Sequence, residues 1–167
     1  EGRVGLSSIA PDGSMYLSYI GGRGFWLGLA TFLKRPRRFM AESRSHCALL
    51  FLSASRIKEI CADKPLYWKH FFILTNHNLE VAIDVLDVFR HEAALGRVAA
   101  VLHMLAVHDP SEQGIQATQA DIAEIARVSL RTVAAALADL EDKGIIRRQY
   151  RRMEILDMAA LRKLAAA

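Results

Sequence analysis

Arginine side chains are concentrated in two short stretches of the sequence. Residues 147–152 read RRQYRR and residues 34–38 read KRPRR, whereas the whole chain carries 22 Lys and Arg against 18 Asp and Glu. A guanidinium group can donate two parallel hydrogen bonds to a phosphate, so local clusters on a nearly balanced chain indicate an anionic partner. The alternative is that each cluster is simply a solvated surface.

Residues able to do covalent or metal chemistry do not form a recognisable set. Neither the two cysteines, Cys47 and Cys61, nor the six histidines have the spacing of a metal site. The sequence has no nucleophile motif, no phosphate-cradling glycine loop and no pair of catalytic carboxylates. We therefore predict no enzyme activity, no metal and no cofactor, apart from the small effector considered below.

Composition sets the class of protein. The chain has 167 residues, of which 52% are hydrophobic and 24% charged, as in a folded protein of one domain or two small ones. No apolar run reaches the roughly 18 residues that a membrane span needs. The chain has no signal-peptide pattern, and we predict a cytoplasmic protein with reduced cysteines and no membrane partner.

The first 55 residues have the pattern of β-strands. RVGLSSIA and SMYLSYI flank Pro11, Asp12 and Gly13, a turn signal that predicts a hairpin. The apolar run CALLFL at residues 47–52 predicts another strand, buried on both faces. Helices later in the chain must cover these strands.

Residues 65–91 predict one long helix with two apolar stripes. One stripe has alternating four- and three-residue steps, the spacing of a coiled-coil seam. The other would face the chain's own strands. The seam is either buried within a monomer or, as we favour, paired with a second copy in a homodimer. It consists of Trp68, Phe72, Thr75, Leu79, Ala82, Leu86 and Phe89.

Residues 92–167 predict helices followed by a hairpin. Thr118 and Asp121 have the spacing of a capping box, and Ser129 is a suitable N-cap for the next helix. Gly144 is placed to end that helix, and GIIRRQYRRMEIL then predicts two strands around an arginine-rich tip. Asp157 can cap a last helix.

Two short helices joined by a tight turn and followed by a basic hairpin form a winged helix-turn-helix. The second helix of such a pair fits the major groove, where its first residues reach base edges. The hairpin can hold arginines near phosphates, which makes binding salt-dependent. The alternative is that this helix pair serves only packing or protein association.

The segment TQADIAEIARVSLRTVAAALADLEDKGIIRRQYRRMEILD resembles the winged helix-turn-helix of the Crp/Fnr family of bacterial transcription regulators. Residues 1–43 are similar to the second half of that family's cyclic-nucleotide-binding-type β-roll, so the roll appears without its first strands. The resemblance implies an α+β fold with three parts: the C-terminal part of an effector-sensing β-roll (1–64), a dimerisation helix (65–91) and a winged helix-turn-helix (92–167).

Departures from the family affect the implied effector pocket. Where cyclic-AMP-binding members have Gly-Glu, this chain has Gly28 and Leu29, and leucine cannot accept the ribose hydrogen bond. The resemblance therefore implies that cyclic AMP is not bound in the usual way, and leaves open another small anion. The implied pocket residues are Gly28, Leu29, Arg37, Arg38, Ala82 and Ile83.

The implied DNA-reading surface departs as well. Family members often begin the recognition helix with Ser-Arg-Glu-Thr-Val and carry an arginine three residues after the threonine. In place of the first arginine, the glutamate and the later arginine, this chain has Leu130, Arg131 and Ala135. We predict a homodimer that binds a palindromic duplex with altered specificity. The alternative is a degenerate sensor or protein-interaction module. The implied DNA-binding residues are Thr118, Gln119, Ser129, Leu130, Arg131, Thr132, Ala135, Arg147, Arg148, Arg151 and Arg152.

Overall fold

The computed structural model describes residues 1–28, 38–109, 114–150 and 152–166. The strands form two small antiparallel sheets that are separate from the helices, which confirms the predicted α+β class. In these residues the elements are β1 (Val4–Ile9), β2 (Met15–Gly21), β3 (Phe39–Ser43), α1 (Ala54–Asp63), α2 (Tyr67–Val88), α3 (Ala94–His108), α4 (Gln119–Ala126), α5 (Leu130–Asp142), β4 (Ile146–Gln149), β5 (Arg152–Ile155) and α6 (Met158–Leu164).

The N-terminal strands form an antiparallel sheet with the order β2-β1-β3. The predicted hairpin joins β1 to β2, and its turn is closed by a hydrogen bond from the Gly13 amide to the Ala10 carbonyl. Asp12 accepts hydrogen bonds from the amide and hydroxyl of Ser14, which fixes the turn locally. The turn residues therefore account for the pairing of residues 7–9 with residues 15–17, beyond which the register shifts between Leu6 and Ser7.

The prediction of a buried strand at residues 47–52 is wrong. The segment has no strand structure, and the side chains of Leu49, Leu50 and Phe51 are 72%, 88% and 84% exposed. Its first residues run beside the chain start, where Ala48 and Glu1 exchange two backbone hydrogen bonds. Beyond Ala48 no described strand lies alongside, so the apolar run has neither ladder partners nor a covering layer.

Helix α2 confirms the predicted long helix, with ends at Tyr67 and Val88. The inner stripe packs within the chain, and Val81 and Val88 are 5% and 0% exposed. All seven seam residues, by contrast, lie on the exposed side. The seam is therefore more exposed than the inner stripe, although four of its residues also line the cavity between the sheet and α2: Thr75, Leu79, Ala82 and Leu86. None of the described helices is long and apolar enough to cross a membrane.

Helix α3 is the centre of the C-terminal core. It packs against α2, α4, α5 and α6, and Val98, Val101 and Leu102 are fully buried. The predicted caps are present around it: Ser129 caps α5, Gly144 follows α5 with φ +69°, and Asp157 caps α6. Capping rules therefore account for most of the element boundaries in this half of the chain.

The N-terminal sheet lies directly against the C-terminal helices. The Leu17 amide of β2 donates to Glu124 Oε1 of α4 at 2.8 Å. Two salt bridges also join the halves, Arg3 to Asp109 at 3.0 Å and Arg44 to Asp121 at 3.5 Å. Helix α4 is consequently positioned by both the sheet and α3.

Candidate nucleic-acid interface

Helices α4 and α5 begin with well-formed caps. The Thr118 hydroxyl accepts from the Asp121 amide at 3.1 Å, and Asp121 Oδ2 accepts from the Thr118 amide at 2.9 Å, which completes the predicted capping box. Ser129 Oγ accepts from the Thr132 amide at 3.1 Å. The hydroxyls of Thr118 and Ser129, both predicted to bind DNA, are thus already engaged in fixing the helix starts.

The turn between α4 and α5 places a non-glycine residue in the left-handed region. Arg127 has φ +52°, a conformation that glycine adopts most easily. Its guanidinium lies 4.2 Å from the ring centre of Tyr16 and 5.3 Å from that of Phe89. Such cation–π contacts contribute about 0.5–1 kcal/mol at exposed sites, which offsets part of the backbone strain. Arg127 therefore tolerates the turn rather than shifting it.

The first turn of α5 presents a mixed surface. Leu130, Arg131 and Ala135 are exposed, and Leu130 is 56% exposed. Gln119, the first residue of α4, is also exposed, whereas Thr132 is half-buried. Among the described residues Arg131 has no carboxylate partner. Its guanidinium is available for an external acceptor.

The basic hairpin is the two-stranded sheet of β4 and β5. Arg147 pairs with Glu154 at 3.3 Å, across the strands. Arg148 donates from its backbone amide and its Nε to the two oxygens of Glu141, at 2.7 and 2.6 Å. These hydrogen bonds lower the pKa of Glu141 below its ordinary value. The hairpin is thus tied to the end of α5.

Of the two other arginines of the hairpin, the structure describes Arg152 and not Arg151. Arg152 donates from Nε to the side-chain oxygen of Gln149, its cross-strand neighbour. Arg151, predicted to bind DNA, lies outside the described residues. Positive charge at the hairpin is therefore partly paired with carboxylates, which the residue count alone does not reveal.

The predicted effector residues divide into three groups. Gly28, Arg38 and Ala82 line a cavity of about 630 Å³ between the N-terminal sheet and α2. Ile83 is 49% exposed and is not among the described residues of that lining. Leu29 and Arg37 lie outside the described residues, as do Lys34 and Arg35.

Several residues of these sites were missed by the sequence reasoning. Glu154 and Glu141 form salt bridges with Arg147 and Arg148. The only feature of the sequence that could have predicted these pairs is the presence of a carboxylate a few residues from each arginine. The contact of Arg127 with Tyr16 joins residues 111 positions apart, and no sequence pattern predicts it. Such long-range partners depend on how the sheet is placed on α4.

Comparison with known proteins agrees with this geometry. A family model for the Crp-like helix-turn-helix domain matches residues 96–164. The structure is similar to FixK2 from Bradyrhizobium japonicum (20% identity, 99% of this chain and 84% of that chain, TM-score 0.75). It is also similar to a CooA mutant from Carboxydothermus hydrogenoformans (17%, 99% and 76%, TM-score 0.73).

A third similar structure is TTHA1359, a CRP/FNR family transcriptional regulator from Thermus thermophilus (20% identity, 100% of this chain and 85% of that chain, TM-score 0.64). No curated protein matches the chain in sequence. Residues 96–164 therefore belong to the Crp-like helix-turn-helix domain family, and the chain as a whole has the fold of the Crp/Fnr transcription regulators.

Proposed function

We propose that this protein is a homodimeric, cytoplasmic transcription regulator that binds a palindromic DNA duplex sequence-specifically. The observation that carries the proposal is the exposed first turn of α5, with its cap formed and Arg131 lacking a carboxylate partner among the described residues. A helix presented in this way can enter the major groove, where arginine reads guanine with two hydrogen bonds.

Phosphate contacts would position this helix on the duplex. Gln119 stands exposed at the start of α4, and the hairpin arginines stand beside α5 because Arg148 is bound to Glu141. In this proposal Gln119, Arg147, Arg148, Arg151 and Arg152 bind phosphates, while Arg131 and Thr132 contact bases. Because several arginines bind phosphates, the affinity for DNA falls steeply as the salt concentration rises.

The dimer would form through the outer face of α2. This face carries the coiled-coil spacing, and Phe72, Leu79 and Leu86 are 70%, 57% and 68% exposed. Pairing with a second copy removes that apolar surface from water. It also gives two recognition helices related by a two-fold axis, which is the symmetry of a palindromic site.

The proposal is tested by selecting bound sequences from random DNA duplexes, followed by a salt titration on the enriched sequence. We expect an enriched palindrome and a steep loss of affinity between low and physiological salt. Arg131→Ala serves as the matched variant, because it removes a base contact and leaves the hairpin arginines in place. Binding that enriches no sequence at any salt concentration contradicts the proposal.

A second candidate is a sensor or protein-interaction module without specific DNA binding. Two observations favour it: Leu130 and Ala135 stand where base-reading side chains are expected, and Arg147 and Arg148 are paired with carboxylates. This candidate predicts no binding to duplex DNA even at low salt. The same titration therefore separates the two functions.

A further inference from the structure

Three polar side chains at three-residue intervals form a stripe along α4 and into the turn that follows it. They are Asp121, Glu124 and Arg127, and together they are called the α4 stripe below. Residues three apart on a helix are neighbours on its surface. Each of the three contacts a residue that lies on the N-terminal sheet or directly after it. The stripe therefore holds α4 to the sheet from its first turn to its C-cap.

The central contact uses an outer strand of the sheet. In the described sheet β2 is an outer strand, because the strand order is β2-β1-β3. The Leu17 amide of β2 donates to Glu124 Oε1 at 2.8 Å. Outer strands present amides without a ladder partner, and a hydrogen bond to a carboxylate is stronger than one between neutral groups. Glu124 itself is exposed, so it can be replaced without opening a cavity in the core.

The two ends of the stripe are held through arginine side chains. Arg44 directly follows β3, and its guanidinium lies 3.5 Å from Asp121 Oδ1. Asp121 is buried, so solvent screens this ion pair less than a pair on the surface. At the other end, the guanidinium of Arg127 lies 4.2 Å from the ring centre of Tyr16 on β2. Three contacts along one helix resist rotation of α4 against the sheet.

The stripe orients the helix-turn-helix without covering it. Gln119 and Arg131, both proposed to bind DNA, are exposed while all three contacts are formed. The sheet is in turn fixed to α2, because Asn78 Nδ2 donates to the Trp26 carbonyl, a short way after β2, at 3.0 Å. The direction of α5 relative to α2 therefore depends on the sheet as well as on the packing of α3 against α2.

We propose that the α4 stripe determines which spacing between DNA half-sites the dimer accepts. Two α5 helices paired through α2 reach two half-sites, and one added base pair moves a half-site by about 3.4 Å and turns it by about 35° around the duplex axis. A helix-turn-helix held at three points follows that change less readily than one that can rotate on the sheet. This inference rests on the proposed function and assigns Glu124 as a positioning residue that does not itself touch DNA.

Glu124→Ala tests the central contact in the full chain. Competition titrations measure the affinity for the selected palindrome and for duplexes whose half-sites are one base pair closer or one base pair further apart. We expect the wild-type chain to bind the selected spacing about tenfold or more tightly than the other two, and Glu124→Ala to reduce this ratio to about threefold or less. The ratio is the readout, because loss of a carboxylate charge changes the affinity for all three duplexes alike.

Two further variants serve as controls. Glu124→Gln keeps a side-chain oxygen that can accept from the Leu17 amide, so it is expected to keep the wild-type ratio. Glu59→Ala removes the same charge from an exposed glutamate of α1, which pairs with Arg56 and not with the sheet, and is also expected to keep it. Circular dichroism checks that each variant is folded. Should Glu124→Ala fail to fold, Arg44→Met takes its place, with the same expected loss of the ratio.

Hydrogen exchange tests the contact itself in the absence of DNA. The Leu17 amide is expected to exchange about threefold to tenfold faster in Glu124→Ala than in Glu59→Ala, because it has lost its acceptor. Equal exchange at Leu17 in these two variants would show that the contact does not form in solution and would overturn the inference.

The DNA titrations separate failure of this inference from failure of the proposed function. A wild-type chain that binds the selected palindrome but accepts all three spacings equally overturns the inference and leaves the regulator standing. The same holds if Glu124→Ala keeps the wild-type ratio, or if Glu124→Gln or Glu59→Ala loses it to the same extent. A wild-type chain that binds no duplex contradicts the regulator, and the role of the stripe in half-site spacing with it.

Discussion

Helix α5 and the segment 47–52 are both rich in leucine, yet their leucines have opposite surroundings. Leu137 and Leu140 of α5 are fully buried, whereas Leu49 and Leu50 are 72% and 88% exposed. Helix α5 has a cap at its start, a glycine after its end and α3 and α4 beside it. The segment 47–52 has residues 1–3 alongside its start, at Cys47 and Ala48.

The difference shows that apolar character predicts burial only when a covering element is present. In α5 the 3.6-residue period of the apolar positions matches a surface that α3 and α4 supply. In the segment 47–52 the apolar residues are consecutive, so their burial requires cover on both faces. The described residues supply neither layer there.

The largest expected effect compares one leucine from each region. Leu137→Ala is expected to lower the free energy of unfolding by about 2–5 kcal/mol, because it leaves a cavity in a packed core. Leu50→Ala is expected to change it by no more than about 0.5 kcal/mol, as is usual for exposed positions. Denaturant titration of the full chain measures both. A loss in Leu50→Ala similar to that in Leu137→Ala would show that the segment is covered in solution.

The same contrast explains which parts of the fold were predictable. The capping box at Thr118, the cap at Ser129 and the turn at Asp12 involve residues within three positions of each other, so the sequence is sufficient to predict them. The burial of residues 47–52 was mispredicted because it depends on a neighbour that the apolar run does not specify.

The candidate sites follow the same rule. The exposed first turn of α5 follows from its cap and its helical period, and was predictable. The pairing of Arg148 with Glu141 depends on how β4 turns back beside α5, and the hydrogen bond from Asn78 to the Trp26 carbonyl joins residues 52 positions apart. Counting charges therefore overstated the unpaired positive charge of the hairpin.

The outer face of α2 is another exposed apolar surface, and here we expect a second copy to cover it. Leu86→Glu places a charge in the proposed seam and is expected to raise the dimer dissociation constant about 100-fold, or roughly 3 kcal/mol. Ile73→Glu is the control, because Ile73 is exposed on α2 outside the seam. Sedimentation equilibrium measures both variants. Equal weakening by the two, or a wild-type monomer, would contradict the proposed seam.

Arg131 and Arg147 compare an arginine without a carboxylate partner among the described residues and a paired one within the proposed DNA-binding region. Arg131→Ala is expected to cost roughly 1–3 kcal/mol of binding and to relax the preference at one base pair. Arg147→Ala is expected to weaken all sequences alike and to reduce the salt slope by about 1, with a smaller loss because its guanidinium is already paired with Glu154. Titrations on the selected site and on scrambled DNA separate the two effects. Identical behaviour of the variants would refute the assigned roles.

The smallest expected effect concerns Arg127, where the two regions meet. The ring of Tyr16 on β2 lies 4.2 Å from the guanidinium of Arg127, which adopts a left-handed backbone in the turn before α5. A double-mutant cycle with Arg127→Gly and Tyr16→Leu should give a coupling free energy of about 0.5–1 kcal/mol in denaturant unfolding, the usual strength of an exposed cation–π pair. The cycle is needed because Arg127→Gly alone also relieves the backbone strain and increases the entropy of the unfolded chain.

The control cycle pairs Arg127→Gly with Leu50→Ala, two positions that share no described contact, and should give a coupling near zero. A Tyr16 cycle that also gives no coupling would mean that the sheet does not hold the helix-turn-helix turn, so that the two regions are stabilised independently at this contact.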